Sequence, residues 1–250
     1  MIEAEMHAKL GANHSRAHDR AEDLLTSTVF GILRYVPPAE GLLALLGRAR
    51  PLSLGADGVA RPLQAARIGG LDGAVDYEQS FWPRVLRHGE PDLLLTLVDG
   101  RERPVAYIII EVKLGASKSA VAGAEDSETE IPDVPDPDQL IADWQALRVT
   151  GDAALPRTVV YLTAHPAPPH EELAASLGRC PQAKLAWLSW FDAEATVRRA
   201  AELDPDPDCP ARDLSRLLVH KGFASFPGFQ RAAPESPVVA GQSAGHEIRW

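Results

Sequence analysis

Two apolar runs joined by a turn constrain this chain more than any other feature. Leu93 to Val98 is apolar and ends at Asp99-Gly100, a turn signal. Val105 to Val112 reads Val-Ala-Tyr-Ile-Ile-Ile-Glu-Val, a strongly β-branched stretch without polar alternation. That pattern belongs to a strand buried on both faces. Together the runs predict a hairpin across Asp99 to Pro104.

The flanking segments extend the pattern. Apolar residues from Ser15 to Val36 fall at helical spacing, and Pro37-Pro38 stops the helix. A short helix is predicted at Gly41–Gly47 and a strand at Val75–Trp82, while Pro51 to Gly73, rich in Gly, Pro and Ala, carries no assignable period. Downstream, helices are predicted at Gln139–Val149, Glu171–Leu177, Ala193–Leu203 and Arg212–His220, with strands at Thr158–Thr163 and Lys184–Trp190. Antiparallel pairing followed by alternating helix and strand predicts an α/β fold, a mixed central sheet flanked by helices. We read a single domain over residues 15–231, after a polar segment at 1–14 and before a Pro-, Gly-, Ala- and Ser-rich tail at 232–250. Between Ala124 and Asp138 stand seven acidic residues, three prolines and no basic residue, which predicts a loop.

Composition narrows the class. A 250-residue chain with 45% hydrophobic residues can bury a large core without disulfides or structural metal. Cys180 and Cys209 stand alone, without zinc-finger spacing, and could pair with each other. The N-terminus lacks a secretory h-region, and no apolar run approaches the roughly 18 residues of a membrane span, so a cytoplasmic protein is expected. The formal charge of −10 argues against a generic basic nucleic-acid binder. Local positive surface or bound cations would still suffice for phosphate contact.

The chemistry concentrates at one end of the hairpin. Asp92 opens its first strand and Glu111-Val112-Lys113 closes the second, so the two carboxylates should be spatial neighbours. Glu111 and Lys113, two apart, project from the same side of their strand. Such a group suits hydrolysis of a phosphodiester, whose transition state needs positive charge. Hard oxygen ligands favour Mg²⁺ or Mn²⁺, and the lysine can orient the attacking water. A shared ion would require the Asp92 and Glu111 carboxylates within about 5 Å. The bland alternative is a solvated Asp at a strand start and a surface Glu-Lys pair at a strand end.

Pro91-Asp92 followed by Glu111-Val112-Lys113 resembles the signature of the PD-(D/E)XK nuclease superfamily. The resemblance extends to the order of elements from about Ser15 to Trp190. It implies a restriction-endonuclease-like core (αβββαβ) and a Mg²⁺- or Mn²⁺-dependent nuclease cleaving nucleic acid, DNA in the first instance. Asp92, Glu111 and the Val112 carbonyl would hold the metal, and Lys113 would position the water. Superfamily members often add a Glu from the first helix. Here Glu22 falls about 70° from the centre of the apolar stripe and Asp23 about 170°, so Glu22 is the candidate. A Glu favoured by the dipole at a helix N-terminus is its bland reading. Gln139 matches a glutamine that many relatives place near the metal, although the helical wheel sets it off the apolar stripe. Trp82, Arg84, Arg87 and His88 could line a nucleic-acid groove, but a packed Trp among surface arginines is the simpler reading. A bacterial defence or repair role and an activating protein partner rest on the resemblance alone. The alternative is a non-catalytic relative whose acidic surface meets a protein partner.

Overall fold

The computed structural model describes residues 17–85, 89–114 and 138–224. The polar start at 1–14, the tail at 232–250 and the acidic segment short of Asp138 lie outside the described residues, as do Arg87 and His88. In chain order the elements are α1 (Ala17–Leu33), α2 (Leu42–Leu46), β1 (Arg50–Leu54), β2 (Ala60–Pro62), a 3₁₀ turn (Leu71–Gly73), β3 (Asp76–Phe81), β4 (Leu93–Val98) and β5 (Pro104–Lys113). These are followed by α3 (Gln139–Val149), β6 (Arg157–Thr163), α4 (His170–Arg179), β7 (Leu185–Ser189), α5 (Trp190–Leu203) and α6 (Pro210–His220).

The strands form one seven-stranded sheet in the order β2-β1-β7-β6-β5-β4-β3. β5, β6 and β7 run parallel, and every other pairing is antiparallel. The fold is therefore α/β with a mixed sheet. Parallel neighbours need crossovers, and α3 and α4 supply them. Both pack on one face, where Tyr107 and Ile109 of β5 meet Leu140, Trp144 and Leu147 of α3 and Leu173 of α4. The other face carries Ile108, Ile110 and Val112, covered by α1, α2, α5 and α6 through residues such as Val29, Leu45, Val197 and Leu214. β5 is buried on both sides, which explains its unbroken apolar run.

The unassigned stretch from Pro51 to Gly73 contains most of a short hairpin. β1 and β2 pair with each other, and β1 adds to the outer edge of β7. Short strands interrupted by Pro51 and Pro62 lack the alternation that marks a strand in sequence, and such prolines are tolerated at sheet edges. The first helix is thus followed by five strands rather than three. Cys180 and Cys209 are both free and buried, so they form no disulfide. Among the described residues no helix is long and apolar enough to cross a membrane.

Arg157 ties the end of α3 to the start of β6. Its guanidinium donates to the carbonyls of Leu147 (2.7 Å), Thr150 (2.8 Å), Asp152 (2.8 Å), Ala153 (3.0 Å) and Leu155 (2.9 Å). Helix C-termini leave carbonyls unsatisfied, and a fixed planar fork of donors serves several at once. Gly151 sits in the same turn at φ +57°, where a Cβ would fall 2.1 Å from the Tyr107 ring. Arg157→Met should lower stability by about 3 kcal/mol, read from the urea midpoint at constant m-value. A loss under about 1 kcal/mol would show that water replaces the guanidinium without penalty.

Candidate active site

The β4–β5 register creates the site. Leu93 pairs with Ile110 and Leu94 with Ile109, and continuing this by one residue sets Asp92 opposite Glu111. Pairing stops at Leu93, which would leave the Val112 N–H without a ladder partner. Asp92 supplies one, its Oδ2 accepting from Val112 N at 2.8 Å. In a strand the N–H and C=O of one residue leave on the same side, so the Val112 carbonyl is directed to the same edge.

Lys113 bridges the acids. Its ammonium lies 3.1 Å from Glu111 Oε1 and donates to Glu22 Oε1 at 3.0 Å. Glu22 also accepts from the Leu114 backbone N–H at 2.8 Å, which fixes both carboxylate oxygens against the end of β5. The three side chains are only 12% (Lys113), 5% (Glu111) and 16% (Glu22) exposed, so this is not a solvated surface pair. α1 therefore brings Glu22 to the strand end, as its helical phase predicts, whereas Asp23, which the same phase turns to solvent, is only half-exposed.

α3 adds a residue that the sequence reading passed over. Asp143 is 0% exposed, and its Oδ1 accepts from the Gln139 side chain at 3.1 Å. Its Oδ2 is buried without a hydrogen-bond partner. Gln139 thus serves Asp143, one helical turn on, rather than standing idle in the first turn. A buried Asp within Leu140-Ile141-Ala142-Asp143-Trp144 was the available signal. α3 is buried nearly all round, so its wheel offers no apolar direction against which Asp143 stands out. Asp138, counted from sequence among the loop acids, is instead the buried N-cap of α3. It accepts from Leu140 N at 3.2 Å and from the Ser176 hydroxyl at 2.8 Å. Trp82 is packed and buried, and Arg84 lies at the surface 3.7 Å from Glu90.

The electrostatics follow from burial and proximity. Burial, then repulsion from Asp92 and Asp143, holds the Glu111 carboxyl well above the ordinary carboxylate range. Asp143 is pushed up by burial and then by Asp92. Burial also raises Glu22, against the opposing pull of Lys113. For Lys113, burial works to lower the ammonium, but Glu111, Asp92 and Glu22 together outweigh it and raise it above its ordinary value. Lys113 keeps its proton throughout the physiological range, so it can act as a cation and donor but not as a general base.

Whether these residues suit a divalent ion can be judged from the donors. A buried carboxylate oxygen without a donor, Asp143 Oδ2, needs a proton or a cation. Among the described residues no group of three or more His, Cys, Asp or Glu forms a ready-made metal cage. Mg²⁺ does not require one. It commonly takes one or two carboxylates and keeps several waters. The set of Asp92, Glu111 and the Val112 carbonyl, with Asp143 beside them, fits such a hydrated hard cation.

If the resemblance to metal-dependent nucleases carries over to this site, Glu22→Gln should weaken metal affinity or cleavage about 10-fold or more, and Asp23→Asn should do little. Calorimetric Mg²⁺ titration alongside a cleavage assay checks this. A more sensitive Asp23 would remove Glu22 from the site.

Comparisons with protein-family models, curated proteins and solved structures give no match.

Proposed function

We propose that the chain is a Mg²⁺- or Mn²⁺-dependent nuclease of the PD-(D/E)XK kind, hydrolysing phosphodiester bonds in DNA. One observation carries this reading. The largely buried Lys113 ammonium is clamped by Glu111 and Glu22 beside Asp92, at the carboxyl end of a central parallel strand where α/β folds place ligands. Asp92, Glu111 and the Val112 carbonyl would hold the ion. When bound, it would neutralise phosphate charge and lower the pKa of an attacking water.

The chain's own groups have separable tasks. Asp92 and Glu111 provide hard anionic oxygens, and the Asp92 hydrogen bond to Val112 fixes where they point. Lys113, cationic at working pH, orients a water and stabilises the charge that grows on the phosphorus oxygens. Glu22 holds the ammonium in place. Gln139 orients Asp143, whose burial keeps bulk solvent from that side. A cytoplasmic setting, a defence or repair role and an activating partner belong to the same reading, by resemblance alone.

The test is incubation of the full chain with supercoiled plasmid, linear duplex, single-stranded DNA and RNA, in Mg²⁺, Mn²⁺ or EDTA. Cation-dependent cutting of DNA is the expected result. Intact substrate under every condition, with DNA or a protein partner still bound, would favour the non-catalytic alternative. A second expected outcome is that Mg²⁺ raises the Tm of the wild-type protein but not of Glu111→Gln, since a ligand bound only to the native state stabilises it.

A further inference from the structure

The sheet has a second concavity, at the opposite end from Lys113. A cavity of about 940 Å³ opens at the amino ends of β6 and β7, between the β1 strand and the carboxyl-terminal halves of α3 and α4. Small-molecule sites typically occupy roughly 300–1,000 Å³. In a chain of net charge −10, the lining of this cavity includes Arg67, Arg148, Arg157 and Lys184 and not one acid. Two of those cations are already engaged. Arg67 pairs with Asp72, and Arg157 is occupied by backbone carbonyls. The side chains of Arg148 and Lys184 have no ion-pair partner among the described residues, and both are exposed.

The rest of the wall is largely apolar, with Leu52, Leu177 and Leu185 beside the hydroxyls of Ser53 and Thr158. Trp144 also lines it, 8% exposed. A flat aromatic residue and an apolar floor suit a planar ring. Two unengaged cations at the rim suit phosphate oxygens. We propose that this cavity binds a nucleotide, its base against Trp144 and the leucines and its phosphate on Arg148 and Lys184. The site is separate from the Asp92–Glu111–Lys113 cluster and stands whether or not that cluster cuts DNA.

The test uses full-length Asp92→Asn protein in EDTA, so that metal chemistry at the other site contributes nothing. Calorimetric titration with the four 5′-ribonucleoside monophosphates should show saturable binding of at least one. Its parent nucleoside and inorganic phosphate should each bind about tenfold more weakly or worse, because each makes only half of the contacts. The Arg148→Glu/Lys184→Glu double variant should lose about tenfold or more in affinity with an unchanged Tm, both residues being at the surface. Absence of saturable binding by all four nucleotides at millimolar concentration would overturn the proposal. So would affinity indifferent to the double charge reversal, or phosphate alone binding as tightly as the nucleotide.

Discussion

Asp92→Asn, Glu111→Gln and Lys113→Ala should each reduce Mg²⁺-dependent DNA cleavage by about three orders of magnitude or more, measured under single-turnover conditions. The three losses should not add, because the groups act on one phosphate as a unit. Their effects on folding should differ. Asn at position 92 retains an oxygen for the Val112 N–H, so Asp92→Asn removes charge while keeping the hydrogen bond seen at 2.8 Å. Lys113→Ala leaves the largely buried Glu22 without its cation, and breaking such a pair costs up to about 3–5 kcal/mol. Asp92→Asn is therefore the cleaner test. Wild-type cleavage in that variant, with its melting curve intact, would end the nuclease assignment.

Asp143→Asn should produce the opposite pair of effects, a more stable protein that cuts DNA poorly. The new amide keeps an oxygen for Gln139 and replaces the unpartnered Oδ2 of a carboxyl group, whose pKa burial, Asp92 and Asp138 raise, with a neutral donor. The expected gain is about 1–3 kcal/mol in metal-free buffer, or about 2–10 °C in Tm. pH supplies an independent check. Asp143 and Glu111 have folded-state pKa values above their ordinary 3.8 and 4.5, so the native state binds more protons than the unfolded chain between those limits. Stability from these groups is full below the ordinary values and falls as pH rises through the raised ones. Wild-type protein in EDTA should then lose Tm as pH rises above the ordinary carboxylate range, and Asp143→Asn and Glu111→Gln should each flatten that slope. A wild-type Tm that rises with pH there in EDTA would mean that the two acids are not held protonated in the fold.

The part of the site that local rules govern was legible in the sequence. A hairpin brings its ends together whatever surrounds it, so the Asp92–Glu111 neighbourhood followed from a turn signal and two apolar runs. Glu22 followed from helical phase, because α1 has a buried face and an open one. Asp143 did not, because a helix enclosed on nearly all sides gives its wheel no direction and hides an acid among its apolar neighbours. Asp138 was misjudged for a related reason. Counting it with the acids before it concealed that an Asp immediately preceding a helix is a preferred N-cap. The β1–β2 hairpin escaped because its stability comes from pairing with β7, far along the chain, and not from a period of its own.

That last pairing bears on how the protein is made. β3, β4 and β5 form a meander of neighbouring strands, so they can assemble soon after Lys113 leaves the ribosome. β1 has no such option. Its partner in the main sheet is β7, and Arg50 reaches Asp192 at 2.9 Å, so it must wait for more than half of the chain to be synthesised. Until then the β1–β2 hairpin and, later, the open edge of β7 are unpaired strands, the kind of surface that recruits a second copy. Crowded expression should therefore lose material through that edge before the site at the carboxyl end of β5 has any chance to matter.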